Sequence, residues 1–354
     1  MTLPVYWFNF ALKITDMQNR MVQLLQTGVD ALTVTEGKVP QPAAREVLVN
    51  IKAVSLNFLD LMVVKGDFPT GLGFPYTPGC DGAGVVVATG SEVTDWKSGD
   101  RVALQYVQNW ITGRGIPLSK AVRIGWQTQG VMADYVCVPD YGLVKLPDSI
   151  SLEEAATLPV AGVTAWEGLM NIAQLQMGQT VLVQGTGGVS MFALQLALAA
   201  GAKVIATTGS AAKEQRLLEM GVHAVINYKT HPEWQKEVLR LTNGEGVDVT
   251  MDIAGKDTIV RSLQSVKVNG LVCTAGGVSG SEITLDIYGD MNLNFKRLAG
   301  FAVGSAESFN ALLQAMDINH IHPVIDKVYP VGKVQEAFRQ LESGSHFGKL
   351  MIAL

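Results

Sequence analysis

The chain has 354 residues, 48% of them apolar, with 37 glycines and a formal net charge of −5. That length exceeds one ordinary core and favours two domains, and the composition is that of a globular α/β protein, excluding disordered and fibrous classes. An acidic balance with no basic run gives a nucleic-acid partner no electrostatic support, and no apolar stretch is long enough for a membrane span.

The N-terminal stretch Pro4 to Leu12 is apolar and aromatic, but no basic region precedes it and no clean small-residue cleavage site follows. It fits an extra strand, or an extension upstream of a chain whose natural start is Met17; both readings stay open. From Met21 to about Pro147 the pattern is short β-type runs, such as Val47–Ile51, Gly84–Ala88 and Tyr135–Val138, broken by glycine and proline. This predicts a mostly β domain. Cys80, Cys137 and Cys273 are too far apart for a disulfide framework or a metal cluster and suit a reducing cytosol, so a cytoplasmic location is expected.

At Ser149 the period changes. Ser151 followed by Glu153 and Glu154 predicts a capped helix start, and Val163 to Ala173 a connecting helix. Thr180 to Ala200 then gives a short apolar strand, a Gly185-Thr186-Gly187-Gly188 turn and a long apolar helix. Strand, glycine turn and helix together suit a dinucleotide: Gly185 for the tight turn, Gly187 for close approach of a pyrophosphate, and the first helix amides, from Gly188 and Val189, facing the phosphate. Ser190 stands at the third glycine position, small enough for close packing. Strand and helix alternate through Lys203–Thr207, Ala211–Met220, Ala224–Asn227, Glu233–Leu241, Val247–Ile253, Thr258–Val266, Gly270–Thr274, Leu298–Val303 and Ser308–Ile318. This alternation predicts a doubly wound parallel sheet. Beyond Pro323 the text returns to β character and is expected to rejoin the first domain. The expected division is 1–148 with 323–354 for the β domain and 149–322 for the nucleotide domain, with the acceptor bound in the cleft between them.

An NAD site wants a carboxylate at the end of the second strand, for the ribose 2′-hydroxyl. Here the strand ends Thr207-Thr208-Gly209-Ser210, with Lys213 just beyond and Tyr228 at the end of the third strand. Lys213 fits either a solvated helix face or a phosphate contact, and Tyr228 either a strand-end aromatic or a phenol donor. With no acid to repel a 2′-phosphate, NADP(H) is expected over NAD(H).

Several motifs now combine: Ser55-Leu56-Asn57-Phe58-Leu59-Asp60, Pro78-Gly79-Cys80-Asp81-Gly82-Ala83-Gly84, Ser98-Gly99-Asp100-Arg101-Val102, Ala155-Ala156-Thr157-Leu158-Pro159, Thr164-Ala165-Trp166 and the Gln184–Val189 loop. With these the chain from about Met21 onward resembles the medium-chain dehydrogenase/reductase superfamily. The resemblance implies a GroES-like, mostly β catalytic domain joined to a Rossmann domain, and oxidation or reduction with NAD(P)(H). Members with catalytic zinc carry a cysteine where this chain has Asn57 and a His-Glu pair where it has Cys80-Asp81. The cysteine-rich lobe that holds a structural zinc is absent between Leu104 and Gly130. No metal is therefore expected, and the sequence is similar to the zinc-free quinone oxidoreductase-like and alkenal reductase-like branch.

That branch implies roles for particular residues. Asn57 sits beside the nicotinamide ribose, Thr164 contacts the nicotinamide, and Ser210, Lys213 and Tyr228 hold the 2′-phosphate. Loops at Ala275-Gly276, at Phe301 to Val303 and at Phe347 to Lys349 flank the cofactor. Asp60 is either a positioning or relay carboxylate or a simple loop cap. Met62, Phe68, Tyr106, Asn109 and Trp110 are the acceptor-side candidates, although the turn holding Asn109 and Trp110 fits a surface apolar contact equally well. Met62, Leu59 and Cys80 depart from what relatives often carry (tyrosine, arginine and serine), which leaves the substrate open.

Without a Lewis acid, hydride transfer is easiest to an acceptor that is already electron-poor. The sequence therefore predicts NADPH-dependent reduction of a small molecule, a quinone or an α,β-unsaturated carbonyl. An alcohol dehydrogenase-like carbonyl reductase and an NADPH-binding redox sensor with little turnover are the rivals. A homodimer through the strand at Leu298 to Val303 is also expected.

Overall fold

The computed structural model describes residues 17–117 and 119–354; the Pro4 to Leu12 stretch lies outside them. The chain divides into two compact units. One takes the chain to Val160 together with Ser305–Asp317 and Ile325–Leu354; the other is Ala161–Gly304 with Ile318–Val324.

In chain order the elements begin with strands β1 (Gln18–Leu24), β2 (Leu32–Lys38) and β3 (Glu46–Ser55), helix α1 (Phe58–Lys65), then β4 (Asp81–Thr89), β5 (Arg101–Leu104), β6 (Tyr135–Pro139), β7 (Leu143–Lys145) and α2 (Leu152–Ala156). There follow α3 (Val163–Trp166), β8 (Thr180–Gln184), α4 (Gly188–Ala199), β9 (Lys203–Thr208), α5 (Ala211–Glu219), β10 (Ala224–Asn227), α6 (Trp234–Leu241), β11 (Val247–Asp252), α7 (Ile259–Ser265), β12 (Val266–Thr274) and β13 (Arg297–Gly300). The last are α8 (Ala306–Asn319), β14 (Ile325–Pro330), α9 (Val334–Ser343) and β15 (Lys349–Ala353).

The first unit is a largely antiparallel sheet in the order β14-β15-β3-β4-β5-β7, with β6 also on β3 and a separate β1-β2 hairpin. Its centre is β3, buried along most of its length through Val47, Leu48, Val49, Ile51, Ala53 and Val54. Here β15 pairs on one side of β3, Met351 opposite Ser55, while β4 pairs on the other, Asp81 opposite Ser55. The ends of three strands thus meet where β3 runs into α1. Gly84 sits at the crowded middle, opposite Ile51 on one side and Val102 on the other.

The second unit is a six-stranded sheet in the order β10-β9-β8-β11-β12-β13, parallel throughout. Counting its strands from β8, the order is 3-2-1-4-5-6, that of the dinucleotide-binding Rossmann fold with its reversal between the first and fourth strands. One face carries a core of Leu182, Ile205 and Val272 packed with Trp234, Val238, Ile259 and Leu263 from α6 and α7. Helix α4 is apolar nearly all round, as a helix buried between layers must be.

Three local expectations are revised. The helix expected over Val163 to Ala173 keeps α geometry only to Trp166, with π-helical turns on both sides at Leu158–Gly162 and Glu167–Ile172. The strand expected to reach Val303 stops at Gly300, and Val303 itself turns to φ +46, costly for a β-branched residue. β12 begins at Val266, earlier than the Gly270 suggested by its apolar run.

A Cβ on Gly84 would land on the Asn50 carbonyl of the neighbouring strand. Gly84→Ala is expected to lower unfolding free energy by about 1–3 kcal/mol or more, measured as a fall in denaturation midpoint; an unchanged midpoint would show that the strands yield freely.

Candidate active site

The nucleotide-binding features of the second unit gather at the carboxyl ends of β8, β9 and β10. Gly185 turns the chain at φ +74, a conformation that favours glycine. A Cβ on Gly187 would meet nothing within 4 Å, so open space lies over the peptide where α4 begins. The first amides of α4, from Gly188 and Val189, have no intrahelical acceptor and carry the positive end of the helix dipole. Thr186 is buried in the turn. Ser190 donates its hydroxyl to the Gln184 carbonyl at 2.7 Å, tying the helix back to the strand it leaves. This cradle fits a dinucleotide pyrophosphate.

Two strands away, Tyr228 lies across Gly209: a Cβ there would meet the phenol oxygen at 2.5 Å. Gly209 is glycine because the ring needs that space. The Tyr228 amide donates to the Thr208 carbonyl at 3.0 Å, and the Ser210 amide to the Thr208 hydroxyl at 3.3 Å. Lys213 stands in the first turn of α5, its amide on the Ser210 carbonyl. Thr208, Gly209, Ser210, Lys213 and Tyr228 are therefore one local group with no acid at the end of β9. Glu214, the nearest acid in sequence, is held by the Asn227 side chain at 2.5 Å.

Thr164 is buried in α3 between the two π-helical turns, a distortion that often marks functional positions. Gly276 follows β12, where a Cβ would strike the Ile253 carbonyl, and the Ala275 amide donates to the Asp252 carbonyl at 3.2 Å. The Phe301 amide donates to the Thr274 carbonyl, and its ring packs over Gly168. Val303 is buried in its positive-φ conformation. Strain of this kind persists only where the surroundings over-determine it.

The first unit holds a buried polar cluster at the junction of β3, α1, β4 and β15. Asn57 follows β3 by two residues, and Lys349 precedes by two the residue paired with Ser55, so register brings them together. The Lys349 ammonium donates to Asn57 Oδ1 at 2.6 Å and stands 3.6 Å from Asp81 Oδ2. Asn57 Nδ2 donates to Asp81 Oδ2 at 2.8 Å and to Cys80 Sγ at 3.4 Å. Asp60 closes the start of α1: its two oxygens accept from the Asn57 amide at 2.8 Å and the Cys80 amide at 3.0 Å. Of the alternatives for Asp60, the geometry displays the cap.

Burial governs the ionisation of this cluster. It pushes the Asp81 carboxyl up to about 7, against the opposing pull of Lys349 and of the Asn57 hydrogen bond. It also lowers Lys349, against the pull of Asp81, Cys80 and Asp60. Asp60 is raised by burial, with the Asn57 amide acting the other way. Cys80 is held well above the ordinary thiol range by burial and then by the two carboxylates, so it is no ready thiolate.

The acceptor-side candidates separate. Tyr106 is buried, its phenol pushed well up by burial and, next, by its neighbour Cys80. Phe68 stacks on Trp126 with ring centroids 5.4 Å apart, and the Arg123 guanidinium lies over that indole. Met62 is half-buried on α1. Asn109 spends its amide on the backbone, donating to the Lys120 carbonyl at 2.7 Å and accepting from the Val122 amide at 3.0 Å. Trp110 is buried, its indole donating to the Gly113 carbonyl. Phe347 is buried beside the start of β15. Asp81 is the residue that sequence reasoning missed. The signal was there: an acid opening one apolar strand and a lysine opening another, both destined to flank β3.

A two-unit chain with a GroES-like sheet and a 3-2-1-4-5-6 Rossmann sheet defines a class of nicotinamide-dependent oxidoreductases, and comparison with known proteins agrees. Residues 43–148 match the alcohol dehydrogenase GroES-like domain family and residues 188–317 the zinc-binding dehydrogenase family. The chain belongs to the medium-chain dehydrogenase/reductase superfamily, whose members bind NAD(P)(H), and is an oxidoreductase of that family. It is 36% identical over 334 residues to a zinc-type alcohol dehydrogenase-like protein of Schizosaccharomyces pombe, covering 93% of this chain and 96% of the other. Among solved structures it is similar to an NAD-dependent alcohol dehydrogenase, at 33% identity and TM-score 0.87, covering 95% of this chain and 99% of that one. It is also similar to the quinone oxidoreductase of Pseudomonas syringae, at 29% identity and TM-score 0.79, covering 95% and 100%.

A carboxyl raised from 3.8 to about 7 in the folded state favours folding fully only below its unfolded pKa, and that contribution is lost as pH rises through the folded value. Asp81→Asn removes the titration. Measured by denaturation, wild-type stability is expected to fall relative to Asp81→Asn between about pH 4 and about pH 7, by on the order of a few kcal/mol. A constant difference across that range would contradict the raised Asp81.

Proposed function

We propose that the protein uses NADPH to reduce a small electron-poor acceptor, a quinone or an α,β-unsaturated carbonyl, without a catalytic metal. The observation that carries this reading is the ammonium of Lys349, 2.6 Å from Asn57 Oδ1 and 3.6 Å from Asp81. A zinc centre needs about three anionic or imidazole ligands and an open position. At the aligned positions this chain offers an amide already committed to hydrogen bonds, a thiol kept protonated by burial, and a carboxylate facing a fixed cation. Among the described residues no group of three or more His, Cys, Asp or Glu could hold a metal ion. This donor set does not fit zinc.

The second unit fits the dinucleotide. Gly187, Gly188 and Val189 would take the pyrophosphate, and Ser210, Lys213 and Tyr228 a 2′-phosphate, with Thr208 in place of the acid that an NAD site uses. When bound, the reduced nicotinamide supplies the hydride. The protein's part is to orient it and to exclude water; product formation also consumes one proton. Reduction of an unactivated carbonyl, with NADH, is the second reading, favoured by the similarity to the NAD-dependent alcohol dehydrogenase.

We also propose a homodimer through β13. That strand lies at the edge of the parallel sheet, and Phe295 and Leu293 just before it are 69% and 58% exposed. Light scattering should give twice the chain mass; a monomer would remove the proposal.

Purified protein should oxidise NADPH in the presence of quinones or enones and contain no stoichiometric zinc. One tightly held zinc per chain, or NADPH binding with no turnover on any acceptor, would overturn the reading. Combining Lys213→Ala with Thr208→Asp should weaken NADPH binding by about tenfold or more and strengthen NADH binding, since it removes a charge-assisted contact and adds a ribose acceptor. Tighter NADH than NADPH binding by the unmodified protein would contradict the phosphate pocket.

A further inference from the structure

In the second unit the sheet opens between β8 and β11, where the strand order reverses. These two strands pair from Val181 with Val249 up to Val183 with Met251, and there the ladder stops. One residue further on, each strand still has its outer neighbour: Gln184 pairs with Thr207 of β9, and Asp252 with Thr274 of β12. Gln184 and Asp252 therefore mark the line along which the crevice opens. Side chains bridge that line where the backbone no longer does. Gln184 Nε2 donates to Asp252 Oδ2 at 3.2 Å and to Ser262 Oγ at 2.6 Å. Ser262 Oγ in turn donates to the same Asp252 oxygen at 2.6 Å.

The bridge sits among apolar side chains. Gln184 follows Leu182 by two residues and so shares its face of the sheet, where Ile259 and Leu263 of α7 pack. Asp252 and Ser262 are 0% exposed and Gln184 5%. Asp252 Oδ1 accepts from the Ala254 and Gly255 amides at 3.1 and 3.0 Å and from the Thr258 hydroxyl at 2.8 Å. The carboxylate thus takes five donors, none of them a cation. Its main-chain carbonyl accepts the Ala275 amide. One residue joins the turn at Gly185, the loop after β11 and the loop after β12. Both Nε2 protons of Gln184 face this cluster, while its Oε1 is buried with no hydrogen-bond partner among the described residues. An unmet buried acceptor is costly and calls for a physical reason. An apolar pair at 184 and 262 would avoid that cost and would lose the link across the crevice.

We propose that Asp252, with Gln184 and Ser262, is a positioning group for the dinucleotide: it presets the spacing between the Gly185 turn and the loops after β11 and β12 before the ligand arrives. This goes beyond the proposed function and rests on its placing of the pyrophosphate at Gly187, Gly188 and Val189. A dinucleotide with its 2′-phosphate at β9 and β10 and its pyrophosphate at that turn runs on toward β11 and β12, across the bridged line. The three side chains act through the main chain of those loops. A seat held ready lowers the ordering cost of binding. The 2′-phosphate group of Ser210, Lys213 and Tyr228 lies on the other side of β8, outside the bridge.

The test compares NADP+ with adenosine 2′-monophosphate, which lacks the pyrophosphate and the nicotinamide half, on the full-length protein by calorimetry and ligand-observed NMR. Asp252→Asn sets a donor against the donors of Gln184 and Ser262. It should raise the NADP+ dissociation constant by about tenfold or more and leave that of adenosine 2′-monophosphate within about threefold. The variant also removes a negative charge, which alone would favour an anionic ligand, so weaker binding is not a charge effect. Combining Asp252→Asn with Gln184→Glu exchanges donor and acceptor across the crevice and should return NADP+ binding to within about threefold of the unmodified protein. A purely structural role would lower the melting temperature and weaken both ligands together. That result, unchanged NADP+ binding by Asp252→Asn, or no recovery in the double variant, overturns the proposal. Should Asp252→Asn not fold, Ser262→Ala decides, since it takes away only the shared hydroxyl. NADP+ weakened by about threefold or more with the fragment unchanged supports the proposal, and equal effects or none overturn it. An unmodified protein that binds no NADP+ sinks the proposed function and this proposal with it, whereas variants without the selective effect sink this proposal alone.

Discussion

The chain of contacts from Lys349 through Asn57 to Asp81 ties together parts of the first unit that are far apart in sequence. Burying an ammonium beside two carboxyl groups is costly, and the cost is returned only when geometry and hydrogen bonds are good. Here they come from three separate parts of the chain, β3 into α1, the start of β4 and the start of β15. The closing strand must therefore lie against β3 in a single register. A slip of one residue would turn Lys349 to the opposite face and leave Asn57 and Asp81 without their cation. An apolar cluster of the same volume would tolerate such a slip far better. The polar cluster specifies the register of the sheet as well as the chemistry of its end.

The same constraint explains the local sequence. Asp60 reaches back to the Asn57 amide and across to the Cys80 amide, so one carboxylate joins the start of α1 to the loop before β4. Gly125 and Gly130 pack on the backbone of Pro78, Gly79 and Cys80, where a Cβ would meet main-chain atoms. The loop carrying Cys80 is thus held from both sides. Cys80 accepts a weak hydrogen bond from Asn57 and stays protonated, a small polarizable filler where a charged thiolate would add to two carboxylates already present.

How much of this could be read from the sequence depended on the range of the interaction. The Rossmann sheet was legible because each βα unit carries its own periodicity, and the Gly185 turn because its conformation is fixed by a handful of neighbours. Asp60 was legible only as one of two things, a loop cap or an orienting or relay carboxylate, and its bonds to the Asn57 and Cys80 amides are those of a cap. The Tyr228–Gly209 contact was half visible: the residues were named for a phosphate pocket, but only pairing of β9 with β10 puts the ring over the glycine. The partnership of Asp81 and Lys349 spans most of the chain and exists only once β15 has paired with β3. Local pattern supplied two charges in apolar strands; topology supplied the reason. The π-helical turns around Thr164 contain Pro159, Gly162 and Gly168, which do not by themselves tell a π turn from an ordinary helix break, and Val303 is a β-branched residue in a conformation that favours glycine.

On the proposed reading, the family scaffold tolerates a change of chemistry because the change is confined to side chains at one strand junction. Where a metal centre needs an ionised ligand set, this junction instead holds an ammonium 2.6 Å from Asn57 Oδ1 and 3.6 Å from Asp81 Oδ2. A metal is a strong Lewis acid and also acidifies what it binds, which suits unactivated alcohols and carbonyls. An ammonium is weaker, but it is supplied by the chain and needs no ligand set that a thiol and two acids would have to ionise together to form. An acceptor that already spreads the incoming electron pair over a conjugated system has less need of a Lewis acid. On this reading the side chains at one strand junction, more than the shape of the fold, decide whether a metal can be held there.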